Sequence, residues 1–246
     1  MKIGVQLYTI RDYCKDLTSF SESLKKTADI GYKYVQISGT CEYDATWLKE
    51  QLDRNGLACV ITHTTPDRIQ HETEKVTEEH KIFGCRNIGI GYFDIKNEGA
   101  EGFEKKFSSA AVKIKNSGYY LMYHNHANEF EKINGKTHLS LLAEMFPADT
   151  LGFTLDTYWA QAAGADPVEW INKLSGRTPC VHFKDMYYDR KMAPVGDGNM
   201  NFEGIIQACI KNKVGYALVE QDDCNGIDPF ICLKQSRDYL RSLGLD

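Results

Sequence analysis

The chain has 246 residues, of which 42% are hydrophobic and 26% are charged, and its formal net charge is −5. This length and apolar content suit one folded domain with a sizeable core. The acidic balance disfavours the basic surface that binding to nucleic-acid phosphates requires, so we expect no nucleic-acid partner.

The start of the chain and its cysteines predict a reduced, cytoplasmic protein. The chain opens on a strand-like run, Met1–Tyr8, rather than on an apolar signal segment. No stretch approaches the roughly 20 apolar residues of a membrane-spanning helix, so we expect no membrane partner. The eight cysteines are dispersed without a Cys-x-x-Cys spacing, which is typical of free thiols.

Short apolar runs alternate with helical patterns along the whole chain. The runs are rich in Val, Ile, Leu and Tyr, as in strands that are buried on both faces. In chain order they are Ile3–Tyr8, Tyr34–Ser38, Ala58–Thr62, Asn87–Gly91, Tyr119–Tyr123, Leu151–Leu155, Cys180–Phe183 and Ala217–Glu220. Helices are predicted over Leu17–Ile30, Ala45–Asn55, Pro66–Phe83, Glu101–Asn116 and Phe202–Lys213, with two more that open at Asp166 and Asp228.

This alternation predicts a parallel sheet, and eight units of similar length favour closure into a (β/α)8 barrel. Such a barrel uses about 250 residues, so we expect one α/β domain over residues 1–246. No Gly-x-Gly-x-x-Gly follows the first strand, which disfavours a dinucleotide-binding fold.

Four polar segments stand at the ends of predicted strands, and a barrel brings the ends of its strands to one face. The segments are His124–Glu129, Asp156, His182–Asp185 and Glu220–Asp223. Carboxylates and imidazoles in one pocket are typical of a divalent-metal site. We therefore expect Asp156, His182 and Glu220 to be metal ligands. The helix after Asp156 is expected to begin later, so helix capping by Asp156 is disfavoured.

The fourth ligand is left open among His124, His126 and Glu129. Glu129 is favoured, since an oxygen-rich set suits Mg²⁺ or Mn²⁺, whereas an added histidine favours Zn²⁺, Co²⁺ or Ni²⁺. The two histidines would then bind substrate or transfer protons. Lys184 lies two residues beyond His182 and so points to the same side of the strand. His124, His126, Glu129 and Lys184 are the catalytic candidates.

Several further residues at strand ends are candidates for substrate binding. Tyr8, Gln36 and His63 lie in or at the ends of the first three strands and are expected to shape a polar sugar pocket, with strand-end packing as the alternative. His80 falls in a helical pattern and is expected to be solvated. No cluster of Arg and Lys marks a phosphate pocket, which favours an unphosphorylated substrate.

Seven segments together carry a family resemblance: Ile3–Asp12, Tyr123–Phe130, Leu155-Asp156, Gly164–Pro167, Val181–Asp185, Val195–Gly198 and Val219–Asp222. In combination they resemble the xylose-isomerase-like (β/α)8 superfamily, the sugar phosphate isomerase/epimerase group. The resemblance implies a metal at the barrel mouth, held by Asp156, His182, Glu220 and one group from residues 124–129. It also implies a homo-oligomer.

The chain departs from the epimerase-like members of that superfamily at two places. Such members usually carry glutamate at the end of strand five, where this chain has His124-Asn125-His126. Many also carry glutamate in strand two, where this chain has Gln36. The histidine-rich segment more closely resembles the dehydratase and keto-sugar lyase branches.

The expected function is therefore a divalent-metal-dependent isomerase or epimerase, with Mn, Mg, Co or Zn as cofactor. Its substrate would be a small sugar or keto-sugar that reacts through a metal-stabilised enediolate. The alternative is β-elimination on the same site, as in a keto-sugar lyase or an inosose-type dehydratase, with His124 or His126 as the acid. A minor alternative is a sugar-binding barrel without catalysis.

Overall fold

A computed structural model describes residues 1–246 and shows a closed barrel of eight parallel strands. The strands follow one another around the barrel in chain order, which confirms the predicted (β/α)8 fold. They are β1 (Lys2–Gln6), β2 (Tyr34–Ile37), β3 (Ala58–His63), β4 (Asn87–Ile90), β5 (Tyr120–His124), β6 (Leu151–Asp156), β7 (Cys180–Phe183) and β8 (Tyr216–Val219).

Ten α-helices surround the barrel, and no helix combines the length and apolar character needed to cross a membrane. They are α1 (Leu17–Ile30), α2 (Ala45–Arg54), α3 (Pro66–His71), α4 (Thr73–Ile82), α5 (Ile95–Asn116), α6 (His138–Met145), α7 (Thr157–Ala162), α8 (Pro167–Lys173), α9 (Phe202–Lys211) and α10 (Pro229–Ser242). Short 3₁₀ helices cover Leu7–Tyr13 and Asn128–Phe130. Two short hairpins, Lys132–Thr137 and Asp185–Ala193, lie in loops that follow β5 and β7.

The predicted helix Pro66–Phe83 is wrong as one element. Glu72, at φ −124° and ψ 33°, leaves the helical region and separates α3 from α4. Asp166 and Asp228 cap helices that begin with proline, as predicted, because each side chain accepts a backbone N–H of the first turn.

Because side chains alternate along the strands, polar groups lie above a layer of apolar side chains inside the barrel. Met122, Cys180 and Leu218 belong to a small buried cluster that is separate from the main core between strands and helices. Residues two positions apart share one face of a strand. His124, His182 and Glu220 each lie two residues beyond one of these apolar residues. They therefore meet at the C-terminal mouth of the barrel, where Asp156 is the register neighbour of His182.

Candidate active site

Four buried side chains form a compact cluster at the barrel mouth: His124, Asp156, His182 and Glu220. Their potential ligand atoms all lie within 4.8 Å of one another. His124 Nε2 is 3.4 Å from Asp156 Oδ2. His182 Nδ1 is 2.9 Å from Glu220 Oε2 and 3.7 Å from Asp156 Oδ2.

The pair separations of 2.9, 3.4 and 3.7 Å fit a divalent cation. Donor atoms that bind one cation at about 2.1 Å lie roughly 3–4 Å from each other. His182 Nδ1 is buried and makes no hydrogen bond of acceptable geometry, although it faces two carboxylates. Its other nitrogen, Nε2, lies 2.7 Å from Gln36 Oε1 and donates to it, which holds the ring with Nδ1 toward the cluster. The four residues are therefore suitable metal ligands.

The charges of the cluster are mutually compensating. Burial opposes a charge on His182, but Glu220 and Asp156 outweigh it and raise the pKa of His182 to about 9. Burial alone would raise the pKa of Asp156, but Lys184, His124 and His182 hold that pKa well below its usual range. Burial likewise opposes the charge of Glu220, but Lys184 and His182 hold its pKa well below the usual range. Both carboxylates are thus ionised at neutral pH, as metal binding requires.

Asp156 has two roles, one for each oxygen. Oδ1 accepts a hydrogen bond from the Trp159 backbone N–H at 2.9 Å and caps α7, while Oδ2 faces the cluster. The expectation that no helix follows directly is therefore wrong, since α7 begins at Thr157. Asn125 Oδ1 accepts from the Asp156 backbone N–H at 3.0 Å, which ties the end of β6 to the segment after β5.

Glu129, which the sequence favoured over His124 and His126 as the fourth ligand, lies outside the cluster, and the fourth side chain of the cluster is that of His124. Glu129 Oε1 accepts from the Tyr123 hydroxyl and Oε2 from the His126 backbone N–H, both at 2.7 Å. The physical reason is that β5 extends to His124, whereas Glu129 follows in the 3₁₀ turn. Glu129 thus holds the His124–His126 segment in place.

Lys184 is a buried cation among three carboxylates. Its Nζ lies 2.7 Å from Asp222 Oδ2 and 3.4 Å from both Asp156 Oδ2 and Glu220 Oε2. Burial opposes the charge, but these carboxylates outweigh it and raise the pKa of Lys184. Burial, followed by Glu220, raises the pKa of Asp222 to about 6. The ammonium is therefore fixed beside the cluster and stays charged.

A cavity of about 640 Å³ opens above the cluster, a size in the range of small-molecule sites. His63, His126 and Tyr8 line it, together with Lys184 and Glu220. His63 Nδ1 lies 3.1 Å from Ser38 Oγ, while His63 Nε2 is buried without a partner. Burial lowers the pKa of His126 to about 3 and that of His63 well below its usual range.

Comparison with known proteins assigns the family. A family model for xylose isomerase-like TIM barrels matches residues 24–243. The chain belongs to this family. No curated protein sequence matches the chain.

Among solved structures, the xylose isomerase-like chain is similar to a sugar phosphate isomerase/epimerase from Parabacteroides distasonis ATCC 8503. The TM-score is 0.85 at 25% identity, over 98% of this chain and 93% of that one. A probable 3-DHS dehydratase from Bacillus anthracis gives 0.76 at 17% identity, over 98% and 99%. An L-ribulose 3-epimerase gives 0.74 at 18% identity, over 100% and 95%. The last two likenesses show the fold alone.

The structure of this xylose isomerase-like barrel brings together most, but not all, of the residues singled out in the sequence. Gln36 is fully buried behind His182 and does not line the cavity, so its position fits a support for the ring rather than a substrate contact. Tyr92 and Trp159 line the cavity and were missed by the sequence reasoning. Both lie within three residues of a strand end, which is the signal that could have indicated them.

Proposed function

We propose that this protein is a divalent-metal-dependent isomerase or epimerase of a small sugar or keto-sugar. The buried cluster of His124, Asp156, His182 and Glu220 beneath a polar cavity is the observation that carries the proposal. These four residues would hold a divalent cation, which would supply Lewis-acid chemistry for a carbonyl and a neighbouring hydroxyl of the sugar. Of the four ligands, the two carboxylates suit Mn²⁺ and the two imidazoles suit Zn²⁺ or Co²⁺, so the mixed set favours these ions over Mg²⁺.

Two imidazoles outside the cluster support proton transfer. The ring of His63 and the ring of His126 both lie close to that of His124. The distances between ring centroids are 5.2 Å for His63 and 4.8 Å for His126. Because burial lowers the pKa of both, each is a neutral base near pH 7. Epimerisation and isomerisation need one group to remove a proton and a group to return it elsewhere. His63 and His126 are our candidates for these steps.

Lys184 supports a second candidate, β-elimination on the same site. Its ammonium lines the cavity and is kept charged by carboxylates, so it can stabilise the negative charge that develops on a leaving oxygen. Because its pKa is lowered, His126 is neutral near pH 7 and is available as the base rather than as an imidazolium acid. In a keto-sugar lyase or an inosose-type dehydratase, His126 would thus act as the base and Lys184 would act on the leaving oxygen.

The charges around the cavity support an unphosphorylated substrate. Lys184 is the one cation among the lining residues, and Asp156, Glu220 and Asp222 surround it. Arg11, which lies near the mouth, donates its hydrogen bonds to the backbone oxygens of Tyr8 and Asp222. No lining cation is therefore left free for a phosphate.

Proton exchange in D₂O tests this function. The protein loaded with Mn²⁺, Co²⁺ or Zn²⁺ is incubated with fructose, tagatose, xylulose and ribulose, and loss of C–H signal is followed by NMR. We expect metal-dependent exchange that disappears in Glu220→Gln. An unsaturated product that absorbs in the ultraviolet would support elimination instead. Neither exchange nor elimination with loaded protein would contradict both reactions and favour a sugar-binding barrel.

A further inference from the structure

A second cavity, of about 510 Å³, adjoins the cavity above the cluster. The two share the lining residues Ser38, Gly39, His63, Thr64 and Thr65. The second cavity lies between the loop after β2 and the helices α3 and α4, which contribute most of its other lining residues. Each cavity alone has the size of a site for a small molecule. Together they exceed the space that one small sugar needs.

Gly39 stands at the junction of the two cavities and has no side chain to divide them. Its φ of +69° is in the left-handed region that favours glycine. A Cβ at this position would lie 2.7 Å from the Tyr8 ring, a contact that neither group can accept. The local backbone and the close approach of the Tyr8 ring therefore both require glycine here.

The walls of the second cavity are polar and carry no free cation, while the carboxylate of Glu42 has no ion-pair partner. Arg68 Nη2 lies 2.8 Å from both carboxylate oxygens of Glu79, and Lys75 Nζ lies 3.4 Å from Glu72 Oε2. These ion pairs already neutralise the two cations that line the cavity. Hydroxyl groups, such as that of Thr40, complete the wall. Such a surface suits an uncharged group with many hydroxyls better than an anion or an apolar group.

We propose that the second cavity is a subsite for a second sugar ring. The substrate class is then an uncharged glycoside or disaccharide, with its carbonyl-bearing ring over the cluster and its other ring beyond Gly39. This inference rests on the proposed function, since it takes the reacting sugar to lie above His124 and Glu220.

Ketose disaccharides provide the test, because lactulose, turanose and isomaltulose each join fructose to a second ring through a different position. Dissociation constants for these three sugars and for fructose are measured with Mn²⁺-loaded protein by ligand-observed NMR titration. We expect at least one disaccharide to bind about tenfold more tightly than fructose, a factor of the size that a few added contacts give. Equal affinities, weaker binding of all three disaccharides, or no binding of any would overturn the proposal.

Bulky substitutions then localise the effect. Thr40 and Glu42 line only the second cavity, so Thr40→Trp and Glu42→Trp should abolish the disaccharide preference and leave the affinity for fructose unchanged. Thr46→Trp on the exposed face of α2 is the matched control, and thermal melts report folding for each variant. Retained preference in both cavity variants would contradict the subsite. Binding needs no turnover, so failure of the proposed reaction appears separately, as absent proton exchange.

Discussion

Removal of the Glu129 carboxylate should destabilise the fold without removing the metal. In Glu129→Ala, the Tyr123 hydroxyl and the His126 backbone N–H each lose a hydrogen bond of 2.7 Å inside the protein. A buried donor left without a partner costs about 1–3 kcal/mol, so the two donors together predict a loss of roughly 2–6 kcal/mol. The cluster itself keeps all four of its side chains.

Urea denaturation in EDTA measures the loss of stability, and plasma mass spectrometry measures bound metal after reloading. Tyr123→Phe is the matched partner, because Tyr123 supplies one of the two donors. The double variant should lose about 1–3 kcal/mol less than the sum of the single variants. If Glu129→Ala lost its metal while its free energy of unfolding stayed unchanged, Glu129 would be the ligand and the reasoning would be refuted.

Three further predictions concern His80, Lys184 and Gln36. Burial lowers the pKa of His80 to about 4, so its contribution to stability is present above the unfolded pKa near 6.5 and is lost as pH falls toward 4. Between pH 7 and 5, the free energy of unfolding of the wild type should fall by about 2 kcal/mol more than that of His80→Gln, as measured by urea titration. The same pH dependence in both proteins would contradict this prediction. Lys184→Met should destabilise the metal-free protein by about 3–5 kcal/mol, since three carboxylates lose their cation, whereas an unchanged melting temperature would argue against that balance. Gln36→Leu should weaken metal binding in calorimetry by about 10–100-fold, and Gln36→Glu should restore it; equal affinities would exclude a role in holding His182.

The barrel could be predicted from the sequence because its signal is repeated eight times. The run Cys180–Phe183 matches its strand residue for residue, and the other runs match within two residues at either end. The break at Glu72 was missed, since neither glycine nor proline marks it. The hairpin within Asp185–Ala193 has strands of only two residues, too short for a periodic pattern.

The sequence could predict which side chains lie together at the barrel mouth only where the end of a strand fixes their position. Asp156 and Glu220 each close an apolar run and His182 lies within one, so the fold alone brings their side chains together. Whether His124 or Glu129 lies beside these three depended on where β5 ends, and β5 extends one residue further than predicted, to His124. His80 was expected to be solvated but is buried, because its ring is hydrogen-bonded between Thr62 and the Val76 carbonyl, a long-range contact that helical periodicity does not encode.

The metal content of the protein tests the central claim most directly. The purified protein and Glu220→Ala are incubated with Mn²⁺, Co²⁺ or Zn²⁺, freed of excess ion and measured by plasma mass spectrometry. A single metal site held by His124, Asp156, His182 and Glu220 predicts one equivalent per chain in wild type and its loss in the variant. No uptake by wild type, or full retention by Glu220→Ala, would contradict a metal-dependent enzyme built on this cluster.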